Sequence, residues 1–340
     1  MENQKYWRSS IAAIAAIGLM AAPAIADEIE AEEVIVGEEI VAPPAEPCPE
    51  CAVNNGSVSF AIGNDITNMY FFRGILQEKT GFIWQPWGQV SFGIYQAESE
   101  DDILNNVSIN VGTWNSVHTE QTGSPRNGNG PGNWYESDLT AGVSLGLNNG
   151  FGAGVTYVAY MSPNNAFGTV QEIDLNASYD DSNLYGGELE NLGFNISPYL
   201  LWGFEIDKTR FGKDKGIYME IGAEPAVTVL QDSDYPVTIG VPMNVGLSLD
   251  NYYLPNDAPD GSNPGDDVFG YATVGIGVAV PLAFIPPRLG QFSVGATGQW
   301  LALGSNLQRA NNGPVPGGGT NLSNGNFQEW IGVASLNWAY

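Results

Sequence analysis

Asp138-Leu139-Thr140-Ala141-Gly142-Val143-Ser144-Leu145-Gly146-Leu147 is the stretch on which the fold turns. Leu139, Ala141, Val143, Leu145 and Leu147 alternate strictly with Asp138, Thr140, Gly142, Ser144 and Gly146. Successive side chains of a strand point to opposite faces, so this run predicts a strand with one apolar and one polar face. The pattern recurs in Val58, Phe60 and Ile62, in Val107, Ile109 and Val111, and from Phe194 through Leu200, Trp202 and Phe204 to Ile206. It returns from Ile217 to Ala223 and from Val237 to Leu249.

Twelve such segments are predicted, at 57–73, 83–96, 104–115, 134–147, 151–162, 168–179, 193–207, 216–230, 237–250, 269–281, 291–303 and 328–340. Most exceed the usual globular strand and match the roughly 9–11 residues a tilted strand needs to cross a bilayer. An even number of strands brings both ends of the segment array to one side of a closed barrel. The three longest gaps, 116–133, 251–268 and 304–327, are alternate gaps and fall on the opposite side. The tight Asn148-Asn149-Gly150 turn falls on the near side. The expected fold is therefore all-β, a closed antiparallel transmembrane β-barrel of about twelve strands. Two near-side gaps, 180–192 and 282–290, are longer than this pattern expects, so the long loops fall mostly on one side. A secreted β-sandwich also alternates, but does not account for long strands, this loop asymmetry and the terminal aromatic Tyr340 together.

The N-terminus reads as an export signal. Lys5 and Arg8 precede the apolar run Ile11–Met20, and Ala24-Ile25-Ala26 sets cleavage after Ala26. Residues 27–56 form an acidic tail expected in the periplasm, with nine carboxylates between Asp27 and Glu50 and prolines at 43, 44, 47 and 49. Cys48 and Cys51, at its end, have no thioredoxin-like βαβ unit around them, so their spacing fits a small disulfide formed in an oxidising compartment. The barrel is expected to occupy 57–340. The formal net charge of −27, from 11 Lys and Arg against 38 Asp and Glu, argues strongly against a nucleic-acid partner, and none is expected. One histidine excludes multi-histidine metal sites, and no metal or cofactor is expected.

Tyr70-Phe71-Phe72-Arg73-Gly74-Ile75-Leu76-Gln77 resembles the Y-x-F-R-G-x-x-Q motif of the TorF family of outer-membrane porins. Gly112-Thr113-Trp114-Asn115-Ser116 is similar to a G-x-W-x-S stretch of that family, and Glu136-Ser137-Asp138 leading into Ala141-Gly142 is a further trace. The likeness covers mainly residues 60–180 and implies a Gram-negative outer-membrane barrel of porin type. It implies no particular solute.

If the apolar face meets lipid, the polar face lines the lumen. Its ionisable candidates are Asp65, Glu136, Asp138, Glu172, Asp174, Glu205, Asp207, Glu220 and Glu224, with Arg73 as the basic one. An acidic lumen predicts passive diffusion of small hydrophilic solutes with a preference for cations. The competing reading is a packed polar interior in a structural or adhesive barrel that conducts nothing. A lipid hydrolase comes third: Ser116 and His118 share a strand face, but the sequence supplies no third group to orient the histidine, which reads as an exposed loop residue with no catalytic role. Aromatics near segment ends, Tyr70, Phe72, Trp134, Tyr135, Tyr160, Trp202 and Trp300, are expected in interfacial girdles. The expected partners are outer-membrane lipid, lipopolysaccharide and the barrel-assembly machinery, the last through the strand ending in Tyr340.

Overall fold

The computed structural model describes residues 57–99, 102–120, 122, 132–211, 214–233, 235–254, 265–312 and 328–340. The signal segment, the acidic tail, Cys48 and Cys51 lie outside the described residues.

The elements run β1 (Val58–Thr67), β2 (Tyr70–Phe72), β3 (Ile75–Glu78), β4 (Ile83–Gln96), β5 (Leu104–His118), β6 (Trp134–Leu147), β7 (Phe151–Met161) and β8 (Val170–Tyr179). After the short helix α1 (Glu188–Asn191) come β9 (Tyr199–Asp207), β10 (Ile217–Ala223), β11 (Ala226–Val229), β12 (Val237–Gly240), β13 (Met243–Asp250), β14 (Phe269–Pro281) and β15 (Gln291–Leu303). Helix α2 (Ser305–Asn312) and β16 (Gln328–Ala339) complete the chain.

Apart from the separate hairpin β2–β3, these strands form one antiparallel sheet closed on itself. β1 pairs with β16 from Ala61↔Ala339 to Thr67↔Val333. The closure reaches the last residue, since Phe60 and Tyr340 exchange backbone hydrogen bonds of 2.7 and 2.8 Å. β10 and β11 are one stave interrupted at Glu224-Pro225, and β12 and β13 are another interrupted at Val241-Pro242. Proline has no N–H for the ladder, which is why each stave breaks there. The wall therefore has twelve staves, as the alternation predicts.

The outer surface follows from the register. Val58, Phe92, Ile109, Val143, Val155, Leu175, Trp202, Met219, Leu247 and Phe269 are cross-strand partners in sequence. They make an apolar row across ten neighbouring staves, in which Phe92, Ile109, Val143, Val155, Leu175 and Phe269 are exposed. In water such a surface would be a large unpartnered apolar patch.

The interior has two halves. At the end where Ser57 and Tyr340 lie, inward residues such as Asn106, Ser108, Asn110, Ser144, Asn176 and Ser178 are small, polar, uncharged and partly accessible. At the opposite end the inward side chains are packed. Tyr218, Tyr252, Tyr253, Leu301 and Leu307 form one buried cluster, and Tyr70, Ile83, Trp87, Trp114 and Tyr135 another.

The first segment departs from expectation. It does not run as one strand to Arg73: β1 ends at Thr67, and β2–β3 folds into the lumen as a hairpin of its own. Arg73 (φ 47°) and Gly74 (φ 79°) occupy its two-residue turn. Both positive angles fit the type I′ geometry that two-residue hairpins favour. A Cβ on Gly74 would come within 2.6 Å of Leu307 Cδ1, so glycine also permits the close approach of α2.

Candidate functional site

The hairpin carries its polar side chains into the acidic wall. Arg73 donates from Nη2 to Glu172 Oε1 at 2.6 Å and from Nη1 to Glu172 Oε2 at 2.9 Å, a bidentate pair. Nη1 also donates to the Tyr252 hydroxyl at 3.0 Å, and Asp174 Oδ1 lies 3.8 Å from Nη2. The guanidinium carbon sits 4.0 Å from the Tyr218 ring centre. Tyr70 donates to Glu136 Oε2 at 2.9 Å, and Tyr135 donates to Gln77. The Tyr70 and Trp114 rings are 5.2 Å apart. Thus Tyr70 of the motif-like stretch meets Trp114 and Glu136 of the other two similar stretches, whereas Arg73 meets Glu172 and Gln77 meets Tyr135.

A second arginine, absent from the sequence reading, does the same from the loop after β9. Arg210 binds both oxygens of Glu136 at 2.7 and 2.8 Å, with its guanidinium carbon 4.0 Å from the Phe167 ring centre. Its backbone N–H donates to Glu205 Oε1 at 2.6 Å. No periodic signal marks a loop arginine, and only the folded loop brings it to the wall.

Asp65, Glu136, Asp138, Glu172, Asp174, Glu205 and Glu220 all lie on the inward face and are buried. Glu220 accepts from Tyr199 at 2.6 Å and from Tyr271 at 2.7 Å. Glu224 is half-buried. Asp207 departs from the expected lumen position: it is exposed and accepts from Gln171 at 3.3 Å. The register slips between Gln171 and Glu172, which pair with Asp207 and Glu205, so Ile206 is an extra residue. A bulge of one residue reverses the alternation beyond it. Four expected girdle aromatics are also corrected. Tyr70, Tyr135 and Tyr160 are buried inside, and Phe72 packs on Tyr160 at 5.1 Å, whereas Trp134 is exposed.

His118 is not an exposed loop residue. It is buried and stacked on Tyr135 at 4.9 Å. Its Nε2 is 2.7 Å from Ser116 Oγ, its Nδ1 is 2.7 Å from Thr122 Oγ1, and Thr122 donates to Glu78 Oε2 at 2.5 Å. Glu78 Oε1 accepts from the Lys79 and Thr80 backbone N–H groups, each at 2.8 Å. A carboxylate only accepts, so the Thr122 proton points to Glu78 and the threonine oxygen receives Nδ1–H. That fixes the tautomer: Nε2 is bare and accepts from Ser116. The proton order is that of an activated serine, and Glu78 and Thr122 are the orienting groups the sequence did not reveal. Ser116 is nevertheless fully buried, and its direct cross-strand neighbour is Glu136. The chain of bonds instead fastens the hairpin, through Glu78, to β5.

Among the described residues no group of three or more His, Cys, Asp or Glu side chains has metal-holding geometry.

No protein-family model matches this chain, and no curated protein sequence matches it. Solved structures similar to it are outer-membrane barrels of low identity. LpxR from Salmonella typhimurium is 7% identical with a TM-score of 0.40, over 82% of this chain and 99% of that one. An outer membrane channel from Pseudomonas putida F1 is 12% identical with a TM-score of 0.40, over 83% and 95%. The NanC porin is 9% identical with a TM-score of 0.36, over 82% and 98%.

Proposed function

We propose that this chain is an outer-membrane barrel of porin type that passes small hydrophilic solutes by passive diffusion and prefers cations. The carrying observation is the sign of the lumen. Eight buried carboxylates, Asp65, Glu78, Glu136, Asp138, Glu172, Asp174, Glu205 and Glu220, line the described interior, and two arginines, Arg73 and Arg210, pair with members of this set. Charges in a narrow low-dielectric passage are screened less than surface charges, so the excess concentrates cations and repels anions. The exposed apolar row supports a lipid environment, and the strand ending in Tyr340 supports recognition by the barrel-assembly machinery. The motif similar to the TorF family supports the same reading.

The packed loop-side half describes a closed conformation. The hairpin makes no backbone ladder with the wall; side-chain bonds to the wall, to the loop after β13 and to α2 hold it in the lumen. A second reading, a barrel that conducts nothing, is favoured by the same packing.

Single-channel recording in a planar bilayer separates the two. Cation-selective openings are expected, with selectivity lowered in dilute salt when Glu136, Asp138, Glu172 and Asp174 are changed to Asn or Gln. Anion selectivity overturns the reading of the lumen. A folded barrel that never conducts establishes the second reading.

A further inference from the structure

The place that receives Arg73 is built around its head group. Glu172 accepts from the guanidinium with both oxygens, the Tyr252 hydroxyl accepts a third bond, and the Tyr218 ring lies over the head group. The Phe72 and Tyr252 ring centres lie 5.2 and 5.4 Å from the same carbon. A carboxylate fork walled by aromatic faces suits a planar, delocalised, weakly hydrated cation far better than a compact, strongly hydrated one.

Apart from Phe72, every member of this cage belongs to the wall or to the loop after β13, not to the hairpin. Glu172 and Tyr218 are therefore placed by the wall strands and not by the hairpin. The cage also has acceptor capacity to spare, because Asp174 Oδ1 is buried with no hydrogen-bond donor. Asp174 and Asn176 are successive inward residues of β8, and Asn176 lines the accessible half of the lumen. The cage thus borders the polar, accessible half of the lumen.

We propose that this cage is a binding site for planar organic cations, guanidinium compounds foremost, and that Arg73 is its built-in occupant in the closed conformation. The proposal deepens the porin reading by naming the class of solute, and its role in permeation rests on that reading; binding itself does not. A guanidinium solute displaces the Arg73 head group from Glu172 and in doing so releases the fastening at the hairpin tip.

The test uses the barrel in detergent micelles, with the temperature at which it loses its compact gel mobility as the readout. Arg73→Ala is titrated with guanidinium chloride or methylguanidinium chloride up to about 10 mM, far below denaturing levels, against equal sodium chloride and tetramethylammonium chloride. Guanidinium is expected to raise the midpoint of Arg73→Ala with an apparent affinity at least about tenfold above that of sodium. The wild-type barrel, already occupied, should respond less, and the Arg73→Ala, Glu172→Gln double variant should lose the effect. Equal responses to guanidinium and sodium, or an unchanged response in the double variant, overturn the site. Should Arg73→Ala not refold alone, refolding yield in the same salts gives the answer: rescue by guanidinium only supports the site, and equal failure in all salts overturns it. A barrel that binds guanidinium but carries no current keeps the site and loses the porin reading.

Discussion

Arg73 and Glu172 lie 99 residues apart in the chain and meet head to head, joined by two hydrogen bonds of 2.6 and 2.9 Å inside the barrel. Both heads are almost wholly withdrawn from water. Breaking one side of a buried pair leaves an uncompensated charge, and that cost exceeds the net worth of the pair. Glu172→Gln or Arg73→Ala should each lower the stability of the barrel by about 3–5 kcal/mol, while replacing both with Leu and Met should cost less than the sum of the single changes. Denaturant titration in micelles checks this, and strictly additive losses would show that the two heads do not depend on each other.

The outward row gives a prediction about environment. Val143 and Val155 are direct cross-strand partners, and both are exposed. Arginine at either position should destabilise a lipid-embedded barrel by about 2–4 kcal/mol if the row lies near the bilayer midplane. Arginine at Asn110, on the inward face of the same wall, should cost much less. Equal tolerance at Val155 and Asn110, measured as yield of heat-shifting barrel in membranes, would mean that the apolar row does not face lipid.

Strand period and loop asymmetry made the twelve staves legible in the sequence, because each stave repeats one signal of period two and errors in single residues average out. The inward carboxylates were legible for the same reason. What stayed hidden depends on events of one or two residues. The Arg73-Gly74 turn interrupts an otherwise extended run, the bulge at Ile206 turns Asp207 outward, and Arg210 reaches Glu136 from an aperiodic loop. Tyr70, Tyr135 and Tyr160 resemble girdle residues by their place near strand ends, yet a plugged barrel gives strand-end aromatics a second home inside.

The bonds linking Ser116, His118, Thr122 and Glu78 predict a structural effect without chemistry. Thr122→Val removes one donor to Glu78 and the acceptor for His118 Nδ1–H in one step, leaving the buried Nδ1–H unpaired at a cost of about 1–3 kcal/mol. The barrel should lose its compact mobility at a lower temperature. His118→Gln, which keeps a donor and an acceptor, should cost less than Thr122→Val. A fluorophosphonate probe should leave Ser116 unlabelled in the folded barrel, since the hydroxyl is fully buried. Labelling that disappears in Ser116→Ala would instead establish a nucleophile and reverse the fastening role.

The turn between β8 and β9 yields the pH prediction. Asp181 accepts from the backbone N–H groups of Ile196 and Ser197, each at 3.0 Å, and from the Tyr185 hydroxyl at 2.7 Å. Burial alone would raise its carboxyl, but these donors outweigh burial and hold it below the ordinary carboxylate value. A carboxylate with a depressed folded pKa contributes stability above its unfolded pKa of about 3.9 and loses it as pH falls through the folded value. Asp181→Asn should therefore weaken the barrel by about 1–2 kcal/mol at pH 7 and at pH 5, with the difference from wild type shrinking below about pH 4. The measurement is the mobility-shift temperature of both proteins across that range. A gap that stays constant down to pH 2.5 would mean that Asp181 folds with an unshifted carboxyl and that the turn is held by its backbone bonds alone.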